Sequence, residues 1–297
     1  MDMPLNNNST IAAIVVTYFP DAGFPHRLHL LREQFPLVIV VDNGSQGSTV
    51  QLLLQLADSG ILLIRNASNQ GIATALNQGL ACAKEHGYYN VVTFDQDTSI
   101  LPIFLENLQK AWKSLGSPIA IIGSNYLDNH RARARHRNAD RSAYREVKTV
   151  ISSGMFFPLE LPTQIGGFLD ELFIDGVDHE FCLRARKHGH KVWLLLEPSM
   201  RHEIGSPMDT NNRLLKSFLP YNHPPLRKYY IARNTLHNIR AYWTQEPRWC
   251  VKRAMAILLK FSVAICHAQR RKHLAALLLG MRDAWHHRLG KKDLPVP

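Results

Sequence analysis

The sequence predicts an α/β fold: a mostly parallel central sheet with helices on both faces, followed by a basic helical extension. Three observations point there. Short apolar runs alternate with amphipathic segments over the first two hundred residues. The runs are continuously apolar, which suits strands covered on both faces. Charge is segregated along the chain. The 297 residues carry a formal net charge of +11, yet residues 1–200 hold 17 Lys/Arg against 19 Asp/Glu, and residues 201–297 hold 18 against 5. A near-neutral body with a basic last third is not a uniformly basic nucleic-acid binder. An apolar content of 45% excludes global disorder.

The elements follow in order. Ile11–Thr17, Leu37–Asp42 and residues 61–65, 91–95 and 119–123 read as buried strands, rich in Val and Ile and closed by polar residues or Gly. Residues 71–86 read as a helix with Ile72, Leu76, Leu80 and Ala83 on one face. Residues 128–148 carry seven Arg/Lys and little apolar content, and read as an exposed excursion between two halves of one domain. Strand character returns at 149–158 and 191–197, with a helix at 179–189 between them. Beyond Pro220 three helices are expected, at 226–242, 248–266 and 273–288. The expected division is one domain over 1–220, in two halves of about 1–125 and about 126–220, then a basic helical region over 221–297.

Cys82, Cys182, Cys250 and Cys266 form no CxxC pair, so they read as reduced thiols of a cytosolic protein. The polar, Asn-rich start argues against a secretory signal. The longest apolar stretch, residues 254–266, would cover roughly 20 Å as a helix, short of a bilayer core of about 30 Å.

Ligands of open parallel sheets collect at the carboxyl ends of strands. Those ends supply Thr17 and Tyr18, then Asp42 and Asn43, then Asp95-Gln96-Asp97. Asp95 and Asp97 at i and i+2 can point to one side and suit a hard divalent cation on phosphate oxygens. Residues 17–23 hold no GxGxxG, so Asp42 is not a dinucleotide-ribose acid; it could accept from a pyrimidine N–H. Asn69-Gln70-Gly71 opens a helix and offers an anion site. Asp175, Asp178 and Glu180 crowd another helix start, where mutual repulsion can raise the basicity of one. Gly166-Gly167 would let the backbone approach a ligand. His202 could be a third metal ligand, and the stretch around Arg233-Asn234 could supply a cation to a diphosphate.

The series VVTYFPD, VVDNGS, NQGIATALNQG, FDQDT, GGF, DGVDHEFCLRARKHG, RHEIG and RKYYIARN resembles family 2 glycosyltransferases of the GT-A fold. Within that family it is most similar to bacterial rhamnosyltransferases of surface-polysaccharide (O-antigen) assembly. The resemblance implies that Thr17, Tyr18, Asp42, Asn43, Asn69, Gly71 and Asp95 hold the donor nucleotide. It implies that Asp95 and Asp97, with His202 nearby, hold Mg²⁺ or Mn²⁺. Asp178 would be the base, with Asp175 as a rival because Val177 stands where many relatives have Glu. Gly167, Arg233 and Asn234 would lie near the diphosphate or the acceptor. The implied donor is dTDP-rhamnose, with other UDP-, dTDP- or GDP-sugars as alternatives. The implied acceptor is a saccharide or lipid-linked saccharide, met by a cytoplasmic protein docked on the anionic inner face of the membrane. Two other classes are alternatives: an Asp-nucleophile phosphohydrolase and a non-catalytic membrane-bound scaffold.

Overall fold

The computed structural model describes residues 11–57, 60–116, 119–128, 133–134, 136, 142–202, 223–265 and 270–292. The first half alternates β1 (Ile11–Thr17), α1 (Phe24–Arg32), β2 (Leu37–Asp42), α2 (Ser48–Ala57), β3 (Leu62–Arg65), α3 (Ile72–Glu85) and β4 (Asn90–Asp95). Short β5 (Ser99–Ile100), α4 (Phe104–Leu115), β6 (Ala120–Asp128), β7 (Arg133–Ala134) and β8 (Tyr144–Glu146) follow. Then come β9 (Met155–Pro158), α5 (Glu160–Ile165), a 3₁₀ turn (Asp170–Leu172), α6 (Val177–Lys187) and β10 (Lys191–His202). Three helices close the chain: α7 (Pro225–Tyr242), α8 (Pro247–Ile265) and α9 (Arg270–Trp285).

The sheet runs β3-β2-β1-β4-β9-β6-β10-β5, with β7 on β6 and β8 on β10. Strands β1 to β4 are parallel, as is β6 with β10, whereas β9 lies antiparallel between β4 and β6. Side-chain alternation splits the core into two layers. Ile14, Ile39 and Phe157 pack with α3 and α6 on one face; Val15, Val40 and Phe156 pack with α1 and α4 on the other.

Two expected boundaries shift. In 149–158 only Met155–Pro158 is strand. Residues 152–154 form a turn with Gly154 at φ +71°, closed by Gly154 N–H donating to Thr93 O. Strand β10 runs past Pro198 to His202 because register shifts flank that proline, so its missing N–H costs the ladder nothing. That extension carries His202 to the end of β4. About half of the basic 128–148 stretch, and Cys266, fall outside the described residues.

The terminal helices pack on the body. Tyr242, Trp249 and Cys250 cluster with Leu183 of α6. Tyr229, Tyr230 and Ala276 cluster with Phe173 and Ile174, just before α6. Gly280 permits the α7–α9 crossing, since a Cβ there would sit 2.4 Å from Tyr229 O. Among the described residues no helix is long and apolar enough to cross a membrane.

Candidate active site

The carboxyl ends of β1, β2 and β4 open into a cleft of about 380 Å³. Thr17, Tyr18, Asn43, Asn69, Gly71, Asp95 and Asp97 line it, together with Gln96, Phe173 and Arg227. The polar floor is pre-organised. Asn69 Oδ1 accepts from Asn43 Nδ2 at 3.0 Å and from Gly71 N–H at 2.9 Å. Asn43 Oδ1 accepts from Gln70 N–H and Asn66 Nδ2. Gln96 Oε1 accepts from Thr17 Oγ1 at 2.8 Å and from Tyr18 N–H at 2.7 Å, tying the end of β1 to the Asp95-Gln96-Asp97 turn. The Tyr18 ring is 45% exposed at the mouth, edge-on to Phe19.

Asp95, Asp97 and His202 come together, each offering a ligand atom within 4.8 Å of the others. His202 Nδ1 lies 3.1 Å from Asp97 Oδ1, and Nε2 lies 3.8 Å from Asp95 Oδ2. Thr98 Oγ1 bridges His202 Nδ1, at 3.0 Å, to Ser153 Oγ. Ser152 Oγ donates to Asp95 Oδ1. Burial, with the nearby charges of Asp97 and Asp178, raises the Asp95 carboxyl to about 6, against the opposing pull of His202. Asp97 Oδ1 is buried with no hydrogen bond to it. Two carboxylates and one imidazole converging in this way fit a divalent cation.

Asp178 stands on the first turn of α6, within electrostatic reach of Asp95. His179 N–H donates to its Oδ1 at 2.7 Å, and its side chain keeps 20% exposure. His179 is held neutral. Arg253 Nη2 donates to its Nε2 at 2.7 Å, and burial plus that cation pulls its pKa down to about 4. Asp175 sits at φ +63° with both oxygens facing Arg227 Nε, at 3.2 and 3.3 Å. Burial raises its carboxyl, Asp178 adds to the rise and Arg227 opposes it. Glu180 is buried in a two-toothed pair with Arg184 and accepts from Tyr242 OH, so its role is packing.

Four expected positions fall elsewhere. Asp42 is buried off the cleft, its Oδ1 accepting from Ser45 N–H. Gly167 meets no ligand space: a Cβ there would lie 2.5 Å from Asn77 Oδ1, and its carbonyl accepts from Arg184. Arg233 is 0% exposed, donates to Glu171 O, Leu172 O and Gly290 O, and stacks over Tyr230. Asn234 Nδ2 reaches Leu172 O, Ile174 O and Asp175 O. These two residues hold the 171–176 loop from behind because their donors are consumed by its carbonyls. The cation that faces the cleft is Arg227, two turns earlier on α7 and at the head of the same RKYYIARN stretch. The start of α3 is likewise closed to an anion at its first amide, since Ile72 N–H donates to Phe173 O at 2.7 Å.

Comparison with known proteins agrees with this geometry. Residues 13–163 match the family model described as glycosyl transferase family 2. The chain is 30% identical over 295 residues to dTDP-rhamnosyl transferase RfbF of Shigella flexneri, covering 93% of this chain and 96% of that one. Among solved structures it is similar to GalNAc-T7 with UDP, GalNAc and Mn²⁺ (TM-score 0.61, 9% identity, 95% of this chain and 57% of that one). It is also similar to S. aureus TarS 1-349 with UDP-GlcNAc (TM-score 0.53, 14% identity, 94% and 92%). At such identities the structures speak to the fold, which is GT-A. With the cleft at the strand ends, the Asp95-Asp97-His202 cluster and the sequence match in accord, the chain belongs to glycosyl transferase family 2.

Proposed function

We propose that the chain is an inverting, metal-dependent transferase that moves L-rhamnose from dTDP-rhamnose to a saccharide or lipid-linked saccharide during surface-polysaccharide assembly. The observation that carries the donor is the 30% identity to RfbF across nearly the whole chain. The cleft supports the reaction class, since nucleotide-side residues and the two acids of the Asp95-Asp97-His202 cluster line one space.

Tyr18, Asn43 and Asn69 hold the nucleoside, and Arg227 faces the diphosphate. Asp95, Asp97 and His202 would hold Mg²⁺ or Mn²⁺, which would supply Lewis-acid neutralisation of the departing charge. Asp178 removes the proton of the acceptor hydroxyl as its oxygen bonds to the anomeric carbon and the bond to the diphosphate breaks. Asp178 is favoured over Asp175 because Arg227 occupies both oxygens of Asp175, whereas Asp178 gives one oxygen to a neighbouring amide and keeps exposure. A single displacement of this kind inverts the anomeric centre.

Membrane docking belongs to the same reading. Val251, Met255, Leu258 and Ile265 are exposed along α8, and Leu278 and Trp285 are exposed on α9. Arg248, Lys252, Arg271 and Arg282 are exposed on the same helices. Each cation near an anionic leaflet contributes about 1 kcal/mol. The protein should sediment with vesicles of 30% phosphatidylglycerol at physiological salt and not with neutral vesicles. Indifference to both would leave the basic helices as a solvated cap.

The test of the donor is a panel of dTDP-, UDP- and GDP-sugars with lipid-linked acceptors, read as nucleoside diphosphate release and product mass. Release of dTDP with addition of one deoxyhexose is expected. Turnover confined to a UDP- or GDP-sugar would overturn the donor, and release of inorganic phosphate would overturn the reaction class.

A further inference from the structure

A buried nitrogen beside the base, His179 Nδ1, makes no hydrogen bond among the described residues. His179 follows Asp178 on the first turn of α6, and its ring meets two side chains of α8. Arg253 Nη2 lies 2.7 Å from His179 Nε2. The Trp249 indole stands edge-on to the imidazole, with ring centroids 5.8 Å apart, and the Arg253 guanidinium lies 5.3 Å from the Trp249 centroid. Trp249 and Arg253 are four residues apart, so one face of α8 presents both. A guanidinium donates and never accepts. The short contact therefore needs a lone pair on Nε2, and the one ring proton of the neutral imidazole falls on Nδ1. Burial keeps the ring neutral, with Asp178 opposing and Arg253 adding to the effect. The carboxylate beside Nδ1 is Asp178, whose Oδ1 lies 4.0 Å away.

This tautomer decides what His179 can do. It is neither a rival base nor a relay for the proton that Asp178 takes up, because Nδ1 already carries a proton and Nε2 faces a guanidinium. It can donate. A buried N–H without a partner is costly, and a carboxylate is the strongest acceptor it could find. The 4.0 Å separation is about 1 Å longer than a hydrogen bond. Hydrogen bonds of catalytic groups often tighten only in the complex with substrate. Asp178 Oδ1 already accepts from the His179 backbone N–H at 2.7 Å. A second donor on that same oxygen would leave Oδ2 to the acceptor hydroxyl. The neighbouring acids give such a donor a purpose. Asp95 and Asp175 both feel the charge of Asp178, and Arg227 spends its Nε on Asp175. A donor to Asp178 offsets that repulsion.

We propose that His179 is a positioning residue for the base: its Nδ1–H, in the tautomer fixed by Arg253, closes on Asp178 Oδ1 and leaves Oδ2 to the acceptor hydroxyl. The role rests on Asp178 as the base, whereas the tautomer is measured without turnover. Nitrogen NMR of the full chain with ¹⁵N-labelled histidine, at neutral pH, should show His179 protonated at Nδ1 and bare at Nε2. Arg253→Met should lose that pattern. Protonation at Nε2 in the wild type, or an unchanged pattern in Arg253→Met, would overturn the proposal. His179→Phe keeps a ring against Trp249. It should lower kcat by about 10- to 100-fold, the range of a hydrogen bond to a charged group, with donor KM and dTDP affinity within about twofold. His179→Asn puts an N–H back at the Nδ1 position and should recover most of the lost kcat. In the Asp178→Asn background His179→Phe should cost nothing further, because its effect runs through Asp178 alone. An equal loss in both backgrounds would mark a structural role and overturn the proposal. So would unchanged kcat in His179→Phe while Asp178→Asn falls by at least about 10²-fold. Normal turnover in both single variants would overturn the base as well.

Discussion

Asn234 Nδ2 sits 2.7 Å from the carbonyl oxygen of Asp175 and shares its two hydrogens with Ile174 O and Leu172 O. The loop it holds carries two non-glycine residues at positive φ, Phe173 at 65° and Asp175 at 63°. Such conformations cost about 1–3 kcal/mol each and persist only when their surroundings enforce them. Asn234, Arg233 and Asn238 provide that enforcement through five carbonyls between Glu171 and Gly176. The terminal helices therefore fix the loop that carries Asp175 and leads into α6.

Asn234→Ala should lower kcat by about 10- to 100-fold with the donor KM little changed, because the loop relaxes while the nucleotide floor stays intact. Stability should fall by about 1–3 kcal/mol from the unsatisfied carbonyls. Steady-state kinetics and urea unfolding check both. A rise in donor KM alone would contradict the assignment.

Gly71→Ala should be severe. Gly71 has φ +91°, and a Cβ would lie 2.7 Å from Phe173 O, the partner of Ile72 N–H. The substitution pries the nucleotide side from the base loop. Loss of dTDP affinity of at least tenfold, with a lowered Tm, is expected by calorimetry and thermal unfolding.

EDTA should abolish transfer, and Mn²⁺ or Mg²⁺ should restore it. Asp97→Asn and His202→Ala should each raise the metal concentration for half-maximal activity by at least tenfold. Full activity after exhaustive chelation would reduce the cluster to a structural role.

Stability should fall as the pH drops from about 6.5 towards 4. His179 and His223 are both held neutral in the fold with pKa values near 4, by burial first; Asp178 opposes the shift of His179 and Arg253 adds to it, while Arg227, Lys260 and Lys228 add to that of His223. The two histidines together outweigh Asp95, whose carboxyl, raised to about 6, acts in the opposite sense. Unfolded histidine takes up its proton near 6.5, so the unfolded state binds more protons in that window. Urea midpoints at pH 7.5, 6 and 5 should decrease in that order; a flat profile would contradict the buried neutral assignment.

Much of this was legible in the sequence. The strand ends at Thr17, Asp42 and Asp95 follow from continuous apolar runs closed by polar residues, and the structure keeps all three. Helices α1, α2 and α4 are only implied by alternation; α1 and α4 both start without a side-chain N-cap. His202 was legible as a residue, but its path to Asp97 depends on a bulge at Pro198 that local pattern does not reveal. The roles of Arg227 and Arg233 differ because α7 turns one to the cleft and the other to the loop carbonyls. Both lie in RKYYIARN, and only packing separates them.

The most direct measurement is turnover of Asp178→Asn with dTDP-rhamnose and a lipid-linked acceptor, paired with its dTDP affinity. A base contributes typically 10²–10⁴-fold. The expected result is a fall in kcat of at least about 10²-fold with dTDP binding unchanged, and a smaller loss in Asp175→Asn. Near-normal turnover in Asp178→Asn would contradict the account.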